Sequence, residues 1–377
     1  MEYISDAVRN IYRRGLRSIL AVFGVAVGVF AFLMMGAMAE HFNRIAFTFH
    51  QLFENRVFLS ERPSFWAGGG ILSMAKESQA RDVPGVSATV PLLISRRQSD
   101  MLLVVGVPQM VIGIPGESLH YLVGDFTLLQ GKARLPGPGS AVLGADSADE
   151  AGVSPGGMLE FEGERFRVEG ILARTGGLVD GQMFIPLPDA QRIFNREGLV
   201  TSILVVPDEG VDPEALSARL QQDLSGVRAI SPAQFREQVN RTLSLYNAIT
   251  FGASAVAVLA GALCVMIVMF TTLSERTPEI GIRKAVGAED SQIIREFLAE
   301  SAILTLSGWV VGCVASIFFV KIAEAWTIRM GSVLFYLSGR LFVASLTGVL
   351  ILGILAGLVP AWQASRVDPV IALRGRL

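Results

Sequence analysis

Four long runs without a charged side chain constrain this sequence more than any other feature. The runs are Ser18–Ala39, Leu245–Ser274, Ser301–Val320 and Leu341–Ser365. Each provides the roughly 20 residues that an apolar α-helix needs to cross the hydrocarbon core of a bilayer. The chain between the runs is well charged, so the contrast predicts an α-helical integral membrane protein with four transmembrane helices.

The basic residues beside these runs predict the orientation. Lys and Arg mark the cytoplasmic side when they lie in short loops near the ends of transmembrane helices. They precede the first run, lie between the second and third, and follow the fourth: Arg9, Arg13, Arg14, Arg17; Arg276, Arg283, Lys284, Arg295; Arg366, Arg374, Arg376. The connection between the third and fourth runs holds Lys321, Arg329 and Arg340. Both termini and the middle connection are therefore predicted to be cytoplasmic.

This orientation predicts the order of the segments along the chain. They are a cytoplasmic amphipathic N-terminal helix (1–17), transmembrane helix 1 (18–39), an extracytoplasmic domain (40–244), transmembrane helix 2 (245–274), a cytoplasmic loop (275–300), transmembrane helix 3 (301–320), a short extracytoplasmic loop (321–340), transmembrane helix 4 (341–365) and a cytoplasmic tail (366–377).

The N-terminal region leaves two questions open. Apolar residues of Met1–Arg14 recur at helical spacing, which fits a helix on the membrane surface or one packed against another cytoplasmic element. Ala37–Ala39 has the small residues of a signal-peptidase site. The apolar run before it is longer than the roughly 7–15 residues of a signal peptide, which favours a retained transmembrane helix.

The 40–244 segment is predicted to be a large mixed α/β domain, inserted between transmembrane helices 1 and 2 and carried on helical extensions of both. Predicted strands are Arg56–Ser60, Ser87–Ile94, Leu102–Val107, Ala141–Leu143, Leu159–Phe161, Phe166–Ile171 and Ile203–Val206. Predicted helices are Ile71–Arg81, Ser147–Ala151, Pro188–Phe194 and Pro213–Leu224. Short strands between Gly and Pro turns indicate a β-rich inserted module over about 120–200, flanked by βαβ pieces at 54–107 and 202–231.

Catalytic and metal-binding motifs are not found in the sequence. Gly131-Lys132 lacks the surrounding residues of a nucleotide phosphate-binding loop. The three histidines, His41, His50 and His120, lie in no metal-ligand spacing. The chain itself is therefore expected to have no enzymatic activity and no cofactor, and its formal net charge of −2 argues against a nucleic-acid partner.

The 275–300 loop begins with a pattern that predicts a short helix. Thr277 is placed to cap a helix whose first residue is Pro278, with Glu279 favourable in the first turn. Gly287 is placed to end the helix, because glycine readily adopts the left-handed conformation of a helix C-terminus.

The rest of this loop continues the same pattern. Arg283 and Lys284 fall in the last turn of the short helix, where basic side chains are favourable. Asp290 or Ser291 then begins a second helix that leads into transmembrane helix 3. A basic loop held at the lipid headgroups is the alternative interpretation.

Several stretches resemble the MacB-type, or FtsX-like, family of ABC transporter permeases. They are Ser274–Ala288 in the loop, Arg14–Gly28 in the first span, Ala141–Gly144, Gly152–Gly157 and Phe166–Leu172 in the outer domain, and Pro360–Arg374 near the C-terminus. The resemblance covers nearly the whole chain. MacB itself carries a fused ATPase domain, so this chain is similar to relatives whose ATPase is a separate polypeptide.

The resemblance implies a permease subunit of the bacterial cytoplasmic (inner) membrane. ATP hydrolysis by a separate partner ATPase would drive export or extraction of a lipoprotein, peptide, lipid or drug by mechanotransmission. The implied partners are two ATPase copies that bind ATP and Mg, a second permease copy (identical or related), membrane lipids and, in some systems, a periplasmic adaptor. The implied ATPase-coupling residues are Glu275, Arg276, Thr277, Glu279, Ile280, Gly281, Ile282, Arg283, Lys284, Ala285, Val286, Gly287 and Ala288.

Two other functions compete with export. One is a mechanical transmitter that regulates an extracytoplasmic enzyme such as a cell-wall hydrolase, although the cell-division members of the family have shorter outer domains. The other is a membrane-anchored receptor or adaptor. A receptor has no reason to carry both the patterned loop and the C-terminal run, so the resemblance favours the first two functions.

Overall fold

The computed structural model describes residues 15–52, 54–61, 70–96, 109–123, 128–175, 177–327 and 335–367. The chain divides into a helical unit (Met1–Glu40, Leu245–Ile322 and Phe335–Leu377) and an α/β unit (His41–Ser244 with Ala323–Leu334). Two predicted elements, the Met1–Arg14 helix and the Leu102–Val107 strand, lie outside the described residues.

The described helices and strands are numbered in chain order. The helices are α1 Gly15–Leu52, α2 Ala75–Arg81, α3 His120–Val123, α4 Ala145–Ala151, α5 Leu187–Ile193, α6 Pro213–Asp223, α7 Pro232–Ala285, α8 Asp290–Thr327 and α9 Gly339–Ser365. The strands are β1 Val57–Ser60, β2 Leu72–Ser73, β3 Val86–Arg96, β4 Met110–Ile114, β5 Leu128–Gly131, β6 Ser140–Leu143, β7 Met158–Phe161, β8 Glu164–Leu172, β9 Met183–Pro186, β10 Leu199–Val200, β11 Ser202–Pro207 and β12 Arg228–Ile230.

Four of these helices are long and apolar enough to cross a membrane. The candidate spans are Ser18–Phe47, Pro232–Ala285, Asp290–Ala323 and Gly339–Ser365, with mean hydropathies of 2.2 to 2.5 in their most apolar windows. The predicted set of four apolar helices is confirmed. Helices α1 and α7 extend well beyond the uncharged runs, so each contains residues of both units.

The helical unit packs through small residues and interhelical hydrogen bonds. A Cβ atom added to Gly28 of α1 would lie 2.8 Å from the carbonyl oxygen of Ala257 in α7, so glycine permits this close approach. The Ser301 hydroxyl of α8 donates to the Gly353 carbonyl of α9 at 2.6 Å. Apolar side chains thus share the helix contacts with a few satisfied polar groups, as membrane helices require.

The α/β unit begins and ends with two split βαβ pieces. Strands β1 and β3, connected through α2, both pair antiparallel with β11, which lies between them. Strands β11 and β12, connected through α6, both pair antiparallel with β1. The resulting strand order, β12-β1-β11-β3, is that of a ferredoxin-like fold. The flanking βαβ pieces predicted from the sequence are present.

The region between these pieces extends the same sheet. The first part of β3, Val86–Leu92, pairs with β11, and its last part, Leu93–Arg96, pairs with β4. Strands β9, β6, β8 and β5 follow in order, with β7 also paired to β8, which gives a ten-stranded sheet. The β-rich module predicted over about 120–200 therefore has no separate main sheet, because the long strand β3 joins both halves.

Both faces of the middle of this sheet are buried. On β11, Ile203 and Val205 belong to one apolar cluster, while Leu204 belongs to the other. Successive side chains of a strand point to opposite faces, so burial on both sides produces continuous apolar runs. The second cluster includes Ile45 of α1, with Phe42 and Phe235 packed against it, so residues of both long helices help to build the α/β core.

One predicted helix begins four residues later than expected. The sequence favours a helix from Ile71, whereas Leu72–Ser73 is a strand paired with Leu199–Val200, and α2 begins at Ala75. The Met74 amide donates to the Gly198 carbonyl at 3.0 Å, which anchors the residue before the helix. This long-range pairing overrides the local helical pattern.

Candidate functional site

The segment Glu275–Ala288, predicted to contact an ATPase, is the end of helix α7 and its cap. The sequence predicted a separate helix capped by Thr277, but α7 continues through Pro278 to Ala285. Thr277 lies inside the helix, where its hydroxyl donates to the Leu273 carbonyl at 2.8 Å. The capping prediction is therefore wrong.

Packing on both sides of Pro278 explains the continuous helix. An internal proline removes one helical hydrogen bond and costs about 3 kcal/mol. Arg276 precedes the proline and Ile280 follows it, and both side chains are buried. Because both neighbours lie on the buried side of one helix, their contacts offset the local cost.

The end of α7 is a two-bond left-handed cap. Gly287 has φ +101°, and its amide donates to the Lys284 carbonyl at 3.0 Å. The Ala288 amide donates to the Arg283 carbonyl at 3.0 Å, which completes a Schellman motif. The prediction that Gly287 ends the helix is confirmed, as is the start of the next helix at Asp290.

Arg276 forms a buried ion pair with helix α8. Its guanidinium Nη1 lies 3.2 Å from Glu300 Oε2, and the two side chains are 8% and 6% exposed. The same nitrogen lies 3.6 Å from Glu296 Oε1. Arg283, whose side chain is exposed, places its Nη1 2.7 Å from Glu296 Oε2. These contacts attach two consecutive turns of α7 to the first turns of α8.

Lys284 attaches the same segment to a third helix. Its ammonium group donates to the carbonyl of Ser365, the last residue of α9. It also lies 3.0 Å from Asp290 Oδ1 at the start of α8. A cation is favourable both at the C-terminus of one helix and beside an acid at the N-terminus of another. Lys284 therefore connects α7, α8 and α9.

The opposite side of the segment is an exposed apolar tip, formed by Ile282, Ala285 and Val286. Ile282 is 51% exposed and Val286 is 86% exposed. Glu279 is exposed beside this tip, whereas Ile280 and Gly281 are buried. The predicted site residues thus divide between a surface that a partner can reach and a face that holds the helices together.

The other predicted site residues divide in the same way. Glu275 and Glu279 are exposed, and Thr277 and Ala288 are half-buried. Arg283 and Lys284 already have partners within the chain. The sequence prediction missed Glu296, Glu300 and Ser365. The spacing of two glutamates four residues apart at the start of α8 was a usable signal, because it places both on one helix face.

The α/β unit has a different polar cluster around Arg174. Its guanidinium pairs with Asp146 at 2.9 Å and also with Asp149. Burial raises the pKa of Asp146 to about 6, against the lowering influence of Arg174 and with smaller raising contributions from Asp180 and Asp149. Within the described ranges, no group of three His, Cys, Asp or Glu is arranged to hold a metal ion.

Comparison with known proteins identifies two regions of the chain. The model of the MacB-like periplasmic core domain matches residues 18–223, and that of the FtsX-like permease C-terminal matches residues 251–369. Residues Glu275–Ala288 and the glutamates of α8 lie within the second match.

Two relatives and one solved structure are similar to this chain. An uncharacterised ABC transporter permease of Methanocaldococcus jannaschii is 24% identical over 395 residues, which cover 99% of this chain and 98% of that protein. The pyoverdine export ATP-binding/permease protein PvdT of Pseudomonas putida is 27% identical over 99% of this chain, which spans 59% of the length of PvdT. The periplasmic region of MacB from Actinobacillus actinomycetemcomitans aligns over 50% of this chain and 94% of that structure, with 16% identity and a TM-score of 0.38.

The two matched models, the four apolar helices and the mixed α/β unit therefore agree on one assignment. The chain is a membrane protein that belongs to the MacB-like, FtsX-like family of ABC transporter permeases.

Proposed function

We propose that this chain is a permease subunit that uses ATP hydrolysis by a separate ATPase to export or extract a substrate. The observation that carries the proposal is the exposed apolar tip of Ile282, Ala285 and Val286, which ends a helix fixed to two others. An apolar surface beside exposed charged residues is typical of a protein contact. The names of relatives such as PvdT combine ATP binding with a permease, which supports an ATPase as the partner.

The proposed orientation places this tip and both termini in the cytoplasm, and the α/β unit outside. The arginine distribution supports it. Labelling with a membrane-impermeant maleimide in intact cells tests it, after replacement of Cys264 and Cys313 by alanine. A cysteine at exposed Ser154 is expected to react and one at exposed Ser291 to remain unlabelled. Labelling at Ser291 in intact cells would contradict the orientation.

The proposed mechanism is mechanical. Two ATPase subunits, which bind ATP and Mg, would engage the tips of two permease copies and move them on ATP-driven closure. Helix α7 contains both the tip and residues of the α/β unit, so a continuous helix is available to carry the movement. The cargo classes proposed are lipoproteins, peptides, lipids and drugs.

The test is co-purification of the chain with candidate stand-alone ABC ATPases from the same genome, each co-expressed with it. Ile282→Asp puts a charge in the apolar contact and is expected to lower recovery of the ATPase at least tenfold, because burying an unpaired carboxylate is costly. Ser291→Asp, at an exposed position off the tip, is the matched control and is expected to retain the ATPase. Full recovery with Ile282→Asp at normal membrane levels would leave the tip without this role.

A further inference from the structure

We propose that Arg276 is a positioning residue: its buried pair with Glu300, supported by Glu296, fixes the apolar tip relative to helix α8. The inference rests on the proposed function, because a tip that transmits force from an ATPase must keep a fixed position relative to helix α8. Arg276 would not itself contact the ATPase, because its side chain is only 8% exposed and its guanidinium faces Glu296 and Glu300.

The position of Pro278 creates the need for such a clamp. A proline inside a helix removes a backbone hydrogen bond, so the helix can bend more easily there. The apolar tip lies beyond Pro278, whereas the membrane-spanning part of α7 lies before it. A force on the tip would bend α7 at the proline unless contacts on both sides of it resist the movement.

The ion pairs lie on both sides of this weak point. Arg276, two residues before Pro278, binds Glu300 and Glu296. Arg283, five residues after it, lies 2.7 Å from the second carboxylate oxygen of Glu296; its side chain is 58% exposed, so this pair adds less than the buried one. Glu296 therefore links the two sides through a single carboxylate, and α8 acts as a splint along the proline turn. A push on the tip would then move α7 and α8 together.

Burial makes this pair suited to fixing a position. An exposed ion pair in water constrains its helices weakly, because solvent competes for both charges. Glu300 and Arg276 are both nearly excluded from solvent, so their charges must be compensated by contacts within the protein. Separation of the two groups would remove this contact from a site that water hardly reaches, and the resulting penalty opposes bending.

The experiment measures the position of the tip in the purified full chain without ATPase. Spin labels are placed at Ala285 on the tip and Arg295 on α8, both exposed, after Cys264 and Cys313 are replaced by alanine. Pulsed electron paramagnetic resonance should give one narrow distribution of the distance between the two labels in the otherwise native chain. Arg276→Met should widen it at least twofold, since Glu300 loses its main partner and α7 bends at Pro278.

Two further variants distinguish positioning from general damage. Arg276→Lys keeps a cation near both glutamates and should restore much of the narrow distribution. Glu300→Gln keeps the side-chain volume, and it provides a milder test if Arg276→Met lowers the amount of folded protein. An unchanged distance distribution in both Arg276→Met and Glu300→Gln would overturn the proposed clamp.

Co-purification separates this inference from the proposed function. Ile282→Asp is expected to lose the ATPase with a narrow distance distribution, while Arg276→Met is expected to keep the ATPase with a broad one. Recovery of the ATPase with Ile282→Asp would reject the docking role of the tip and leave the distance result standing. Loss of the ATPase with Arg276→Met at an unchanged distance distribution would make Arg276 a docking residue and reject positioning.

Discussion

Two carboxylates, one in each unit, pair with arginines in different surroundings. Glu300 in the helical unit lies 3.2 Å from Arg276, and both side chains are less than 10% exposed. Asp146 in the α/β unit lies 2.9 Å from Arg174, but Arg174 is 45% exposed. The shorter pair is thus the one whose cation remains in contact with water.

The Asp146 pair shows that a short distance to a cation does not by itself stabilise the charged form of a carboxylate. Burial raises the pKa of Asp146 to about 6 although Arg174 is within contact distance. Water around Arg174 weakens its attraction for the carboxylate, so the burial of Asp146 dominates. Arg276 has little access to water, and its pair with Glu300 must be satisfied within the protein. The Arg276–Glu300 pair therefore holds two helices together, whereas the Arg174–Asp146 pair does not fully offset the cost of burying the Asp146 charge.

The largest effect on stability is expected when one member of the buried Arg276–Glu300 pair is removed. Arg276→Ala should destabilise the helical unit by about 3–5 kcal/mol, because Glu300 is left buried without its guanidinium. The measurement is unfolding of the full chain by SDS in mixed micelles, followed by helical circular dichroism.

A double variant provides the control for this prediction. Arg276→Met with Glu300→Met removes both charges and keeps apolar volume, so it should be near neutral in the same titration. Equal losses in the single and double variants would mean that side-chain packing, and not an unpaired charge, causes the destabilisation.

Features that depend on neighbouring residues were predictable from the sequence. The uncharged runs gave the four apolar helices, because the requirement for length without charge is local. The end of α7 at Gly287 was predictable for the same reason, since a left-handed cap needs a particular residue at one position. Such features depend on neighbours within a few residues.

Features that depend on distant partners were not predictable. Thr277-Pro278-Glu279 has the composition of a helix start, and the continuous helix depends on contacts of Arg276 with residues 20 or more positions away. Lys284 binds the carbonyl of Ser365, 81 residues later, a partner that no local pattern indicates. In the α/β unit, the strand Leu72–Ser73 depends in the same way on pairing with Leu199–Val200.

An effect of intermediate size on stability is expected at Gly287, which caps helix α7 beside the apolar tip. Gly287 has φ +101°, and a Cβ added there would meet no other atom within 4 Å. Gly287→Val should therefore act through backbone strain alone and destabilise the unit by about 1–2 kcal/mol in the SDS titration.

Asparagine is the control at this position, because it tolerates left-handed backbone better than valine does. Gly287→Asn should cost clearly less than Gly287→Val. Similar losses for both would mean that glycine is needed there for a reason other than its backbone conformation.

The smallest effect on stability is expected from the carboxylate of Asp146, the partner of Arg174. Its pKa in the folded chain, about 6, is above the ordinary value of 3.8. The folded state therefore binds this proton more tightly than the unfolded state does, and protonation stabilises the fold. The contribution is fully present below about pH 4 and is lost as the pH rises through 6, so the α/β unit should become less stable over this range.

Asp146→Asn should remove this part of the pH dependence, because the asparagine stays neutral throughout. The measurement is hydrogen exchange of the β6 and β8 amides in the full chain between pH 4 and pH 7.5, corrected for intrinsic exchange rates. Asp149→Asn is the matched control: it removes an acid that also pairs with Arg174 but is more exposed than Asp146, and it should leave the slope nearly unchanged. A wild-type slope that persists in Asp146→Asn would show that another group titrates and that Asp146 is not the source of the pH dependence.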